Sequence, residues 1–187
     1  SPLNGNLMKY YVVDAFSSSV FHGNPAGVCV IDDDAWPADE MLLNIAAENN
    51  MPETAFLLKN HDRYKLRYFS PVYEVPLCGH ATIASAFVVN KFLNPEWKEI
   101  VFETLSGELS VYPQNGLYEM KLPTRHVEPV AIDPMIERAI GCKILESYIW
   151  ENDVFAVIES EDYLEKMEMD FSVLNHIPGI FNCCITA

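Results

Sequence analysis

An apolar segment near the middle of the chain restricts the folds that this sequence can adopt. Residues 81–89, ATIASAFVV, contain no charged side chain and no polar side chain larger than threonine. A helix on the surface of a domain would carry a polar stripe, so a helix here is expected to be surrounded by protein. Because many short strand patterns flank this segment, we expect a sheet that curls like a barrel around one central helix.

β-Branched and aromatic residues alternate with turn residues on both sides of this helix. The segment HGNPAG, residues 22–27, is predicted to be a turn, since Asn24 precedes Pro25. Together the elements form a first lobe over residues 8–122. Strands are predicted at residues 8–16, 28–31, 53–59, 64–69, 99–103, 108–112 and 117–122, and helices at residues 37–48 and 79–92.

The remaining sequence predicts a linker and part of a second lobe. Residues 123–134 contain three prolines and little periodicity, which is typical of a linker. Beyond it, residues 135–187 form a partial second lobe. Helices are predicted there at residues 135–140 and 161–167, and strands at residues 146–150, 154–158 and 179–187.

Both ends of the chain carry expectations of their own. The first seven residues, SPLNGNL, differ from the strand-rich sequence that follows and are interpreted as a cloning remnant before a natural start at Met8. The final strand is apolar and has no turn or cap after it. We therefore expect the natural protein to continue, and this chain to be stable only with a further C-terminal segment or a second copy.

Charge and cysteine usage exclude several classes of protein. The chain carries 12 Lys and Arg against 27 Asp and Glu, a net charge of −15, which repels nucleic acid. No apolar run reaches the length of a membrane span, and no signal peptide is recognisable. The five cysteines show no C-x-x-C spacing, and the five histidines show no metal-ligand spacing. These features predict a reducing cytoplasm, no disulfide framework and no metal site.

The beginning of the central helix is the first candidate site. Its first backbone N–H groups have no partner within the helix and carry partial positive charge, so they can bind an anion. Gly79 lets a ligand approach the backbone closely, and His80 is expected to act as a neutral donor or acceptor. The alternative from spacing alone is that Gly79 is only a turn residue and His80 only a cap.

Glu53 is the second candidate. It follows Pro52 in NNMPETAF, residues 49–56, and begins an apolar strand. A carboxylate at such a strand start can be partly desolvated, which suits a group that transfers protons. The alternative is an acid in a solvated loop.

Several stretches taken together resemble a known family. VVDAF (residues 12–16), FHGNPAGV (21–28), IAAENNMPETAF (45–56), LRYFSPVYEVPLCGHATIASAF (66–87) and FETLSGEL (102–109) have the order and spacing of the PhzF family. These phenazine-biosynthesis-like isomerases are relatives of diaminopimelate epimerase and proline racemase. The resemblance implies an α+β fold of two similar lobes. Each is a barrel-like, mostly antiparallel sheet wrapped around a central helix, and the second is incomplete here.

The resemblance also implies a reaction and its residues. In PhzF itself one glutamate shuttles a proton across one face of a dihydro-hydroxyanthranilate ring, and Glu53 in PET matches it. His80 is implied as a second catalytic residue, and no cofactor is needed. The implied substrate is a small carboxylate held by Asn24, Gly79, His80 and Ala81, and the implied assembly is a homodimer. An acid and a Gly-Ser pair of the family's second lobe, in an EDxxTGSA-like motif, have no match in this chain.

Cys78 leaves a different reaction open. The related epimerases and racemases use a cysteine at this place as a base and need a second cysteine on the opposite lobe. The adjacent residues Cys183 and Cys184 are interpreted as strand residues, poorly placed for that role. We therefore interpret Cys78 as a capping and packing residue. A cysteine-based racemase or epimerase, or a catalytically incomplete half, remain the alternatives to a PhzF-like isomerase.

Overall fold

The computed structural model describes residues 8–19, 21–122, 124, 126–180 and 182–187. The segment interpreted as a cloning remnant, residues 1–7, lies outside the described residues. The chain divides after Leu122 into two compact units. Across the described ranges, no helix combines the length and the apolar character that crossing a bilayer requires.

The first unit is built on one large sheet. The strands are β1 Lys9–Ala15, β2 Asn24–Ile31, β3 Glu53–Asn60, β4 Arg63–Phe69, β5 Glu74–Val75, β6 Ile100–Thr104, β7 Gly107–Gln114 and β8 Leu117–Met120. They follow the order β1-β2-β3-β4-β6-β7-β8, and β5 pairs with β4. The pairs β2 with β3 and β4 with β6 run parallel, and the other described pairs are antiparallel.

Two helices belong to this unit. Helix α1, Asp39–Asn49, precedes β3, and helix α2, Gly79–Val88, continues into a π-helical stretch, Val89–Leu93. Helix α2 contacts β1 and β2 at one end of the strand order and β7 and β8 at the other end. One helix can touch both ends only if the sheet curls around it, which confirms the expected architecture. Buried side chains occur on all sides of α2: Ala81, Thr82, Ala84, Ser85, Ala86 and Val88.

Strand β3 separates two hydrophobic cores. Ala55 and Leu57 face inward and belong to the cluster around α2. Phe56 and Leu58 face outward and pack with Leu42 of α1. Side chains alternate along a strand, so Glu53 lies on the same inward face as Ala55 and Leu57, the face that is directed toward α2. It is the first residue of β3 and therefore lies at the edge of this inner core.

The segment predicted to be a turn, residues 22–27, is largely strand. Strand β2 begins at Asn24, because this segment pairs with β1 on one side and from Ala26 onward with β3 on the other. The reversal between β1 and β2 occurs earlier, where Phe16 and Phe21 adopt positive φ angles of 63° and 69°. Pairing with β1 and β3 thus overrides the local signal of Asn24 and Pro25.

The described residues of the second unit form a smaller sheet and three helices. The elements are β9 Glu128–Pro129, α3 Pro134–Ile140, β10 Ile144–Trp150, β11 Asp153–Ile158, α4 Glu161–Lys166, α5 Phe171–Leu174 and β12 Asn182–Thr186. The strands follow the order β12-β11-β10-β9. Strand β9, which pairs with β10, lies within the segment predicted to be a linker, and α3 begins one residue earlier than expected, at Pro134. Helix α5 was not predicted from the sequence. Their core contains Ile136, Ile140, Ile144, Val154, Ala156, Ile158 and Ile177.

Candidate active site

Glu53 is placed by the pairing of two parallel strands. It is the first residue of β3, and its partner in β2 is Ala26, which is fully buried beneath α2. Asn50, in a left-handed conformation with φ 50°, ends α1 just before it. The side chain of Glu53 is 25% exposed. The carboxylate therefore lies at the rim of the inner core, not in a solvated loop.

A chain of hydrogen bonds holds the beginning of α2. Cys78 occupies the N-cap position with extended backbone angles. The hydroxyl of Thr82 donates to the carbonyl oxygen of Cys78 at 2.7 Å. The Tyr68 hydroxyl lies 2.6 Å from the same Thr82 oxygen. Since the single hydroxyl proton of Thr82 is used toward Cys78, Tyr68 must donate to Thr82.

His80 lies between the two candidate groups. Its Nδ1 is 3.2 Å from Sγ of Cys78, and its Nε2 is 3.4 Å from Oε2 of Glu53. The His80 side chain is only 10% exposed. The distance to Glu53 is that of an ion pair, but the contact does not have hydrogen-bond geometry. Within the described ranges, His80 Nε2 is a buried nitrogen with no hydrogen-bond partner.

The unpartnered Nε2 of His80 points to a place for a ligand. Buried polar atoms in folded proteins nearly always have a partner, and an exception calls for an explanation. Here the neighbouring group is the carboxylate of Glu53, and the first turn of α2 supplies amide groups that the helix itself does not use. An oxygen-bearing ligand at this place would satisfy the nitrogen.

Cys78 is a protonated thiol at neutral pH. Burial raises the pKa of Cys78 to about 11, and the nearby carboxylate of Glu53 adds to the rise. The backbone N–H groups of Ala81 and His80 act in the opposite direction but do not compensate. A thiol in this state is a hydrogen-bond donor and a poor base.

Gly79 leaves free space at the beginning of α2. A β-carbon built at Gly79 would meet only Cε of Met120, at 3.8 Å, among the described atoms. This is an ordinary van der Waals contact, so the absence of a side chain here is not a packing requirement. The space beside Gly79 is open among the described atoms, and its use by a ligand stays a prediction.

The other two expected binding residues, Ala81 and Asn24, differ from this cluster in burial. Ala81 is fully buried, so only its backbone N–H is able to contribute, and that group lies near the Cys78 sulfur. Asn24 is exposed at the start of β2. It lies two positions before Ala26, the strand partner of Glu53, and therefore on the same face of the sheet.

The structure also bears on a metal at this place. One ligand-type atom from each of Glu53, Cys78 and His80 lies within 4.8 Å of the others. The thiol, however, contacts Nδ1, whereas the carboxylate lies beside Nε2. The imidazole would have to turn before one ion could bind all three groups, and the positive end of α2 disfavours a cation.

Two residues of the site were not found from the sequence. Tyr68 and Thr82 hold the N-cap of α2 through their hydrogen bonds. In the sequence, however, nothing distinguishes Tyr68 from an ordinary strand residue or Thr82 from an ordinary helix residue. Their contact depends on how β4 lies against α2, which no local pattern encodes. Cys183 and Cys184 lie in β12 of the second unit, as the strand interpretation required.

Comparisons with known proteins agree on one family. The sequence model of the PhzC-PhzF family, described as phenazine biosynthesis-like protein, matches residues 13–184. An uncharacterized isomerase of Pseudomonas aeruginosa is 40% identical over 172 residues, which are 91% of this chain and 65% of that protein. The chain thus spans less than two thirds of the length of this relative.

Solved structures support the same assignment. A crystal structure of a PhzF-family phenazine biosynthesis protein from Enterococcus faecalis matches with a TM-score of 0.83 and 40% identity, over 91% of this chain and 64% of that chain. The structure of a predicted epimerase from Pseudomonas aeruginosa matches with a TM-score of 0.66 at 15% identity, over 94% and 68% of the two chains, and shows the fold alone. The expected epimerase-like α+β fold is confirmed, with the second lobe present in part as the smaller sheet. The chain belongs to the PhzC-PhzF family of phenazine biosynthesis-like proteins.

Proposed function

We propose that the full-length protein is an isomerase that moves a proton on a small carboxylate-bearing substrate, with Glu53 as the group that takes and returns the proton. One observation supports this most strongly: the carboxylate of Glu53 lies 3.4 Å from the buried, unpartnered Nε2 of His80 at the beginning of α2. Relatives named as isomerases give independent support for the reaction class.

The proposed chemistry needs only one carboxylate. Glu53 accepts a proton from a carbon atom whose C–H bond is acidified by an adjacent conjugated system. The electron pair moves through that system, and Glu53 returns a proton to a carbon atom farther along it. Because the Glu53 side chain is 25% exposed, the proton it holds can exchange with water before the return. Atoms and charge balance without an oxidant, a metal or an organic cofactor, and a partly buried carboxylate suits both transfers.

His80 and the first turn of α2 are assigned to binding. A chain with a net charge of −15 attracts an anion only through local groups. No Lys or Arg occurs in residues 70–90, and the N–H groups of His80 and Ala81 lie near the Cys78 sulfur, so the backbone N–H of Gly79 is the local amide donor. The Nε2 nitrogen of His80 then bonds an oxygen of the substrate next to the reacting carbon. In this arrangement Asn24 is the substrate contact from the strand side.

The test uses the full-length protein and deuterium exchange. A thermal-shift screen of small cyclic and amino-acid-like carboxylates first selects those that stabilise the protein. Each one is then incubated in D2O, and NMR follows deuterium entry at carbon. Wild-type protein is expected to exchange a carbon-bound hydrogen, and Glu53→Gln is expected to lose this by about a thousandfold or more, while the thermal shift survives.

A matched control variant is available on the neighbouring helix. Glu48→Gln removes the same charge from an exposed position of α1 and is expected to leave exchange unchanged. Exchange that persists in Glu53→Gln would overturn the assignment. Exchange that persists there but vanishes in Cys78→Ala would support the cysteine-based racemase instead.

Assembly and location are part of the same proposal. We expect the full-length protein to be a cytoplasmic homodimer that binds neither nucleic acid nor membranes. Light scattering on the full-length protein tests the dimer, and fractionation of the native cell tests the location. Neither result bears on the role of Glu53.

A further inference from the structure

We propose that Cys78 is a positioning residue, whose thiol donates a hydrogen bond to Nδ1 of His80 and so holds the imidazole in the tautomer that carries its proton on Nε2. This deepens the proposed function, because the Nε2–H group then faces Glu53 and the substrate. The tautomer itself can be measured whether or not Glu53 is the proton shuttle.

The surroundings of the sulfur decide which atom donates. Sγ of Cys78 lies 3.2 Å from Nδ1 of His80. The backbone N–H groups of Ala81 and His80 also lie near this sulfur, and both are donors only. They use the lone pairs of the sulfur, which leaves the S–H proton to donate. Among the described residues, Nδ1 of His80 is the side-chain acceptor within hydrogen-bond distance of this sulfur, whereas the Glu53 carboxylate lies farther away.

Burial keeps that proton on the sulfur. The pKa of the Cys78 thiol is raised to about 11, mainly by desolvation. At neutral pH only about one thiol in ten thousand is ionised, so the S–H donor is present throughout the working range. The same fact explains why Cys78 lies in the site without acting as a base.

The other nitrogen of His80 completes the argument. A neutral imidazole carries one proton, so an accepting Nδ1 requires a protonated Nε2. That nitrogen lies 3.4 Å from Oε2 of Glu53, near enough for the carboxylate charge to favour a proton on it although the contact lacks hydrogen-bond geometry. The opposite tautomer would set the Nε2 lone pair against a carboxylate and would pair Nδ1–H with sulfur, a weak acceptor. Both neighbours of His80 therefore favour the same tautomer.

The spacing of the C-G-H motif produces this geometry. Cys78 is the N-cap of α2, and His80 is the second residue of the first turn. Gly79 between them has no side chain, so the thiol and the imidazole meet without an intervening group. The hydrogen bonds from Tyr68 through Thr82 to the carbonyl of Cys78 keep this residue in place.

NMR of the full-length protein labelled with 15N-histidine reads the tautomer directly. The signals of His80 are expected to be those of a neutral ring protonated at Nε2. The other four histidines, His22, His61, His126 and His176, are exposed and serve as internal references. Cys78→Ser keeps a donor and is expected to keep these signals. Cys78→Ala is expected to lower the ratio of the Nε2-protonated to the Nδ1-protonated ring by about fivefold, because the loss of one ordinary hydrogen bond changes an equilibrium constant by about that factor.

Activity gives a second reading that separates the two proposals. Cys78→Ala is expected to lower kcat by about fivefold with little change in KM, and Cys78→Ser is expected to restore it. Cys78→Val fills the space without a donor and should behave as Cys78→Ala does. Glu53→Gln is expected to be inactive but to keep the NMR signals of His80 protonated at Nε2, because the Cys78 thiol still donates to Nδ1. If Glu53→Gln were active instead, the proton-shuttle assignment would fail and the tautomer result would remain valid.

A second buried thiol provides the matched control. Cys29 lies on the outer face of the sheet, in the core beneath α1. Cys29→Ala is expected to lower stability without altering the His80 signals or the kinetic constants relative to wild type. A wild-type His80 protonated at Nδ1, or a ratio unchanged in both Cys78→Ala and Cys78→Val, would overturn the proposal.

Discussion

The side chains of Glu53 and His80 meet at the rim of the inner core, with Oε2 of Glu53 3.4 Å from Nε2 of His80. Glu53 begins β3, and His80 lies in the first turn of α2. The two meet because α2 lies against the inner face of the sheet with its N-terminus toward the end at which β3 begins. Among the described residues, Nε2 of His80 is buried without a hydrogen-bond partner, and its uncompensated desolvation lowers the free energy of unfolding.

Replacing His80 by Phe should therefore stabilise the protein while abolishing its activity. The substitution keeps a ring of similar volume and removes a buried polar atom whose desolvation is uncompensated. We expect the free energy of unfolding to rise by about 0.5–1 kcal/mol, since the lost contact with Cys78 offsets part of the gain. Urea titration checks this. A clear loss of stability would mean that Nε2 has a partner in solution.

Two glycines of the first unit should respond to alanine in opposite directions. A β-carbon at Gly23 would lie 2.3 Å from the carbonyl oxygen of Ala15, so the backbone must shift. At Gly79 the nearest contact is 3.8 Å. Gly23→Ala is expected to destabilise by about 1–3 kcal/mol, and Gly79→Ala is expected to be neutral or stabilising by up to about 1 kcal/mol.

The same Gly79 variant also tests the ligand space. Its methyl group fits the protein but occupies the place where a substrate carboxylate would approach the α2 amides. We expect carboxylates that shift the melting temperature of the wild type to lose most of that shift in Gly79→Ala. Equal shifts in both proteins would place the anion elsewhere.

Stability should fall at alkaline pH because two buried thiols resist ionisation. Burial raises the pKa of Cys29 to about 12 and that of Cys78 to about 11, from an ordinary value of 9.0. Above pH 9 the unfolded chain releases these protons while the folded chain retains them, so unfolding becomes more favourable as pH rises. Each thiol lowers the free energy of unfolding by at most about 1.4 kcal/mol for every unit of pH in this range.

Cys29→Ala isolates one of these contributions. The cavity it leaves lowers stability equally at every pH, whereas the missing thiol removes part of the alkaline slope. Denaturant titrations between pH 7 and about pH 11 should therefore give a flatter dependence in the variant. An unchanged slope would mean that Cys29 ionises as readily in the folded state as in the unfolded state.

The sequence singled out Glu53, Cys78 and His80 as candidates, but it gave no sign of their arrangement or of Tyr68 and Thr82. The apolar character of residues 81–89 was sufficient to predict an enclosed helix, because no other environment accepts such a surface. Asn24 illustrates the limit: its turn signal is local, and pairing of β2 with β1 and β3 overrides it. The C-G-H spacing brings Cys78 and His80 near each other, but their contact also depends on rotamers set by packing, which the sequence does not reveal.

The hydrogen bonds from Tyr68 to Thr82 and from Thr82 to the carbonyl of Cys78 should behave as one unit. Tyr68→Phe leaves the buried Thr82 oxygen without its donor, and Thr82→Val leaves both the Tyr68 hydroxyl and the Cys78 carbonyl without a side-chain partner. Each change is expected to destabilise by about 1–2 kcal/mol. The double variant removes both hydroxyl groups, so its loss should be smaller than the sum of the single losses by about 1 kcal/mol. Urea titration of all four proteins gives the coupling. Strict additivity would show that the two hydroxyl groups do not interact in the folded protein.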